Sequence, residues 1–218
     1  MKRTLKRNMK LSTVVVRMGL GAALVLGAQA CASRQPVAES TASSERAPED
    51  LSAYYPLAVG NQWTYRINGR ADKSVTVRIV KEEGGYFQDN QGGQLTVDSF
   101  GVRDLKRYLL RGPLTEGTQW TNVVSVSSTE RYRILQANVP CDTAARAFGA
   151  CVRVEARNRV DAETTLINDL TFAQGVGLVR MELFVERSGG ERMPQTSLEL
   201  TSYTVRNAGA EARPGDSR

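Results

Sequence analysis

From Tyr54 to Arg206 apolar residues recur at every second position and rarely at helical spacing. Trp63, Tyr65 and Ile67 alternate with Thr64, Arg66 and Asn68. Val75, Val77 and Ile79 alternate with Thr76 and Arg78. Val152, Val154 and Ala156 alternate with Arg153, Glu155 and Arg157, and Val179, Met181, Leu183 and Val185 with Arg180, Glu182, Phe184 and Glu186. Leu198 and Leu200 continue the series, and Val123–Ser127, Tyr132–Asn138 and Thr165–Phe172 follow it less cleanly. A period of two gives each strand one apolar and one polar face. Asn68-Gly69, Gly84-Gly85, Gly92-Gly93 and Gly189-Gly190 are hairpin-turn pairs. Asp104–Leu110 is compatible with two helical turns or a short strand, and no other segment reads as an amphipathic helix. An apolar face with no long helix to cover it must cover itself. The sequence therefore predicts an all-β antiparallel meander of about ten short strands, curled into a half-barrel, barrel or sandwich.

Within this β region a nonapeptide of form P-L-x-x-G-x-Q-W-T occurs twice, as Pro56–Thr64 and Pro113–Thr121, and it contains both tryptophans of the chain, Trp63 and Trp120. Pro56 and Pro113 fix φ and extend the preceding residue. Gly60 and Gly117 permit a tight bend. Each Trp then sets a large apolar ring at the base of the next strand. We expect each copy to open a β-hairpin; the competing reading is chance similarity between two turn-plus-strand segments.

The ends differ from the middle. Six of the 29 basic residues (Lys2, Arg3, Lys6, Arg7, Lys10 and Arg17) fall in residues 1–30, which hold no acid, and the remainder matches the 23 acids. The high isoelectric point thus belongs to the leader, and the rest of the chain carries no charge signal for nucleic acid. A basic start and the apolar stretch Met18–Ala30, too short to span a bilayer, read residues 1–30 as an export signal. The junction Ala28-Gln29-Ala30-Cys31 resembles that of bacterial lipoprotein precursors, although that family prefers Leu at the position of Ala28 and a small residue at Gln29. The resemblance implies a lipidated Cys31 and a membrane partner through the anchor. The alternative is ordinary A-x-A cleavage, which leaves Cys31 a free thiol. Residues 31–50 then form a tether rich in Ser, Ala, Glu and Pro, unable to order itself and reaching about 25 Å. Residues 51–206 are the β domain, and residues 207–218 a tail of tether-like composition.

YYPLAVGNQWTY, RGPLTEGTQW and FAQGVGLVRMEL, spread over Tyr54–Tyr203, resemble a pattern in exported bacterial proteins, many of them lipoproteins. A V-P-x-G-x-F-x-x-C segment of that pattern corresponds to Val139–Cys151, without its Gly and with an extra Cys141. The resemblance implies a curved antiparallel sheet, such as the half-barrel of lipoprotein carriers, and a cell-envelope location at the outer membrane, facing the periplasm or the surface. It implies no activity.

Chemistry is sparsely signalled. The chain has no histidine, which removes Ser-His-Asp and Cys-His arrangements and His-containing zinc sites. We assign no catalytic residue, metal site or cofactor. Cys141 and Cys151 are expected to pair as a disulfide in an exported domain, stapling a short loop by about 3 kcal/mol; a redox pair would want C-x-x-C spacing. Gly175-Val176-Gly177 lacks the third Gly and the helix of a dinucleotide site and reads as a bulge or bend. Glu182 and Glu186 share a strand face as a glycosidase pair might, but Arg153, Arg157, Arg159 and Arg180 point to cross-strand ion pairs. Asp89-Asn90-Gln91-Gly92 reads as a turn. Three functions stay open: a non-catalytic envelope lipoprotein binding an apolar ligand or envelope protein partner, a structural or interaction module with a closed core, and, least supported, an enzyme. An open or a filled inner sheet face separates the first two.

Overall fold

The computed structural model describes residues 50–206; the expected leader, Cys31, nearly all of the tether and the tail lie outside the described residues. After a single 3-10 turn at Leu51–Tyr54 come twelve strands: β1 (Gln62–Ile67), β2 (Arg70–Glu83), β3 (Tyr86–Asp89), β4 (Gln94–Asp98), β5 (Gly101–Arg103), β6 (Tyr108–Arg111), β7 (Gln119–Ser125), β8 (Ser128–Asp142), β9 (Ala147–Arg159), β10 (Thr164–Ala173), β11 (Gly177–Arg187) and β12 (Arg192–Thr204). All belong to one sheet in the order β6-β5-β4-β3-β2-β1-β12-β11-β10-β9-β8-β7. Every ladder is antiparallel, and the all-β meander is a nearly closed barrel. Asp104–Leu110 resolves into a turn followed by β6. The strands number twelve rather than about ten, and they are not uniformly short: β2, β8, β9 and β12 run from 13 to 15 residues, because the polar ends of hairpins stay in register beyond the apolar alternation.

The four Gly-containing pairs turn the chain where expected. Asn68 and Gly69 both have positive φ between β1 and β2, as do Gly84 and Gly85 between β2 and β3. Such turns match the right-handed twist of a hairpin.

The two nonapeptides make the same local hydrogen bonds. In the first, Gly60 N–H donates to Ile79 O (2.9 Å), Ile79 N–H to Asn61 O (2.9 Å), and Asn61 N–H to Ala58 O (3.1 Å). In the second, Gly117 N–H donates to Ile134 O (2.9 Å), Ile134 N–H to Thr118 O (2.9 Å), and Thr118 N–H to Thr115 O (3.1 Å). Gly60 and Gly117 sit at φ +93° and +86°, where a Cβ is strained. Gln62 then faces Arg78 and Gln119 faces Arg133. This parity turns both tryptophans inward: Trp63 is 0% and Trp120 6% exposed.

The inward faces build one core, with Trp63, Phe172, Ile79, Ile134, Val152, Val154 and Leu200 fully enclosed or nearly so. β6 and β7 end the sheet order and form no backbone ladder with each other. Side chains close the gap. Asn122 accepts from Tyr108 N–H at 3.0 Å and donates to Tyr108 O at 3.1 Å, and Trp120 Nε1 donates to the same oxygen at 2.8 Å. Asn122, buried and polar, stands in for a strand partner.

On the outer face, acids and arginines clasp the sheet across strands. Glu186 takes both Arg157 and Arg192, and Arg192 reaches Glu155 at 2.9 Å. Arg153 pairs with buried Asp169 at 2.8 Å, and Glu199 with Arg66 and Arg180. The alkyl stems of such arginines also cover apolar surface, and fully buried Ile167 lies on this side, facing Arg157 and Phe184 across its two ladders.

Candidate functional site

The inner face is filled around Trp63 but leaves a cavity of about 300 Å³ farther along the barrel. Leu95, Leu109, Leu170, Phe172, Leu178 and Met181 form its apolar wall. Tyr55, Asp89, Gln94, Asp104, Arg107, Tyr132 and Asn168 supply its polar groups. Its volume lies at the small end of ligand sites, and an apolar wall with few convergent polar groups is their usual make-up.

Three loop devices and two strands position those polar groups. Tyr55 follows the 3-10 turn, which Asp50 caps through Ser52 N–H (3.0 Å) and which Gly175 N–H fastens through Ala53 O (2.6 Å). Its ring lies 5.4 Å from Trp63 and 6.4 Å from Phe172, centroid to centroid. Burial pushes the Tyr55 hydroxyl pKa well up, and the Asp89 carboxylate adds to the effect, so it remains a donor. Only 6% of the residue is exposed, and its hydroxyl has no hydrogen-bond partner among the described residues. Asp89 turns the β3–β4 hairpin by accepting from Gln91 and Gly93 N–H, both at 2.8 Å through Oδ1; Oδ2 accepts no hydrogen bond among the described residues.

Asp104 likewise shapes the β5–β6 turn. Its Oδ1 accepts from Lys106 and Arg107 N–H, each at 2.7 Å, and its Oδ2 accepts from Arg107 Nε at 2.9 Å. Arg107 Nη1 continues to Glu130 Oε1 at 3.4 Å, and Glu130 Oε2 accepts from the Tyr132 hydroxyl at 2.9 Å. Burial would lower the Arg107 pKa, but Asp104 and Glu130 outweigh it and hold the guanidinium charged. Burial, then Glu130, drives the Tyr132 pKa upward. Tyr132 stacks on Trp120 at 5.3 Å.

Of the residues marked out by the sequence, Asp89 lines this cavity, the two tryptophans stand behind its lining, and the others lie elsewhere. Trp63 backs Tyr55, and Trp120 backs Tyr132. Pro56 accepts from Asn61 Nδ2 at 2.8 Å through its carbonyl, and Pro113 accepts from Thr115 N–H at 2.9 Å. Cys141 and Cys151 are a disulfide with Cα atoms 6.1 Å apart, joining the ends of β8 and β9 beside an outer cleft with Arg153, Arg180 and Glu182. Gly175-Val176-Gly177 is the β10–β11 turn, where Val176 O accepts from Trp63 Nε1 at 2.7 Å. Glu186 is consumed by arginines, while Glu182 makes no ion pair among the described residues. No three His, Cys, Asp or Glu side chains among the described residues come together as metal ligands would.

Sequence reading missed Tyr55, Asp104, Arg107, Tyr132 and Asn168 as a group. One signal was present: Asn168 breaks the inward series Leu166, Leu170 and Phe172, and Glu130 occupies the inward register of Tyr132 and Ile134. Polar residues at positions that parity assigns to the interior mark a place where the interior is not simply packed.

No protein-family model and no curated protein matches the chain. Two solved structures are similar to it. One, from Bacteroides fragilis, is described as an exported protein with a YmcC-like fold; it shares 14% identity over 67% of this chain and 96% of its own, with a TM-score of 0.40. The other, from Parabacteroides distasonis, is described as a lipoprotein; it shares 12% identity over 72% of this chain and 100% of its own, with a TM-score of 0.39.

Proposed function

We propose that this chain is a non-catalytic lipoprotein of the cell envelope whose barrel takes an apolar ligand into the cavity beneath Tyr55. The carrying observation is the aliphatic wall of Leu95, Leu109, Leu170, Leu178 and Met181 around unfilled space inside the sheet. Dispersion contacts and release of water from such a wall would supply the affinity. The anchoring half of the reading rests on the junction ending at Cys31, which would hold the domain at the outer membrane, in the periplasm or at the surface. The charged groups of the outer face are largely engaged with one another, which supports a structural rather than catalytic role for them.

Titration with an uncharged fluorescent probe, N-phenyl-1-naphthylamine, tests the cavity. We expect saturable binding that Met181→Trp abolishes by filling the space, while the variant keeps a cooperative thermal transition. No binding, or binding indifferent to Met181→Trp, would sink the reading and leave the barrel a closed-core interaction module. For the anchor, Cys31→Ser is expected to move the protein from the membrane to the soluble fraction or to stall its processing; wild-type protein found wholly soluble with a free Cys31 thiol would sink this half.

A further inference from the structure

The charge lining the cavity restricts what the apolar ligand carries as its head. Two carboxylates belong to the lining, Asp89 and Asp104, and a third, Glu130, reaches the lining Arg107. Arg107, the one cation in the lining among the described residues, is already bound by Asp104 at 2.9 Å and Glu130 at 3.4 Å. A carboxylate or phosphate entering here meets three like charges and no free cation. To reach Arg107 it must displace an acid and leave it unpaired in a partly buried site, which is strongly unfavourable.

The groups that remain free ask for something else. Among the described residues the Tyr55 hydroxyl is a donor without an acceptor, Asp89 Oδ2 is an acceptor without a donor, and the Asn168 carboxamide offers both and has no hydrogen-bond partner. An ammonium head answers Asp89 and is favoured by the surplus of carboxylates, but it has no lone pair to accept from Tyr55. Adjacent hydroxyls answer both, donating to the carboxylate and accepting from the phenol. The aliphatic, Met-containing wall fits a flexible hydrocarbon chain.

We infer that the cavity selects a single-chain lipid with an uncharged polyol head, of the acylglycerol class, against fatty-acid anions. This rests on the cavity being the ligand site proposed above.

The test uses the full chain carrying Cys31→Ser, which removes the lipid acceptor. Calorimetric titration at pH 7 compares monododecanoylglycerol, dodecanoate and dodecylamine, equal in tail length and each below its aggregation threshold. The glycerol ester is expected to bind at least about tenfold more tightly than dodecanoate, with the amine as the control that cannot accept from Tyr55. Tyr55→Phe, which removes a hydroxyl that holds nothing in the fold, is expected to weaken the ester severalfold and leave the amine unchanged. Asp104→Asn keeps the turn acceptor and loosens Arg107, so dodecanoate should gain affinity. Dodecanoate matching the ester in the unsubstituted pocket, or Tyr55→Phe leaving the ester unaffected, overturns the head-group inference while the cavity reading stands. If none of the three lipids binds, the cavity reading itself fails and takes this inference with it.

Discussion

Trp63 and Trp120 hold matching corners, but their indole N–H groups are not equally replaceable. Val176 O has no donor other than Trp63 among the described residues. Tyr108 O, which Trp120 serves, also accepts from Asn122 at 3.1 Å. An orphaned buried acceptor costs about 1–3 kcal/mol, whereas a shared one keeps its remaining bond. Trp63→Phe should therefore destabilise the domain by about 1–2 kcal/mol more than Trp120→Phe, read from paired urea titrations; equal losses would show that the indole bonds do not set the difference. Gly60 and Gly117 are visible in the sequence as bends because only a residue without Cβ takes φ near +90° cheaply. Tyr55 is not visible in the same way. It sits off any strand, and its placement depends on a turn fastened by Gly175, remote in sequence.

Strand by strand, the outer face is a set of arginine clasps, and these make the fold acid-sensitive. Bonding to Arg157, with Arg192 contributing, holds the Glu186 carboxyl below the ordinary glutamate value, and Arg66 and Arg180 do the same for Glu199. A carboxyl whose folded pKa is depressed binds fewer protons folded than unfolded, so its stabilisation is present above the unfolded value and is lost as pH falls through the folded one. Melting temperature should hold near neutrality and drop as pH descends below about 4.5, the unfolded glutamate value. Glu186→Gln should lower it at neutral pH and flatten the acid limb; an unchanged acid limb would remove Glu186 from the account. At this scale the alternating runs of β1, β2, β9 and β11, and the Gly-containing turns after β1, β2 and β11, are legible in the sequence. The run from β3 to β6 is not, because strands of 3 to 5 residues are too short to display a period. The cavity was hidden for a related reason: its polar groups come from two turns, a pre-strand segment and the interiors of β8 and β10, brought together only by closure.

Across the whole molecule, the sheet has one join made of backbone and one made of side chains. β1 and β12 pair over six residues of β1, whereas β6 and β7 meet through Asn122 and Trp120 on a single residue, Tyr108. Hydrogen exchange should report this. Amides of β6 and of the β6-facing edge of β7 are expected to exchange well before those of β1 and β12, and Asn122→Ala should accelerate them further with little effect on β1. Uniform protection around the barrel would contradict it.

The sheet order adds a last consequence. It reads β6 to β1 and then β12 to β7, two runs of six strands laid head to tail, each begun by the same P-L-x-x-G-x-Q-W-T corner. Advancing every strand by six in chain order carries the first run onto the second and the β1–β12 join onto the β7–β6 join. The connectivity is that of a two-subunit ring written into one polypeptide, with one joint welded and its mate only buttoned.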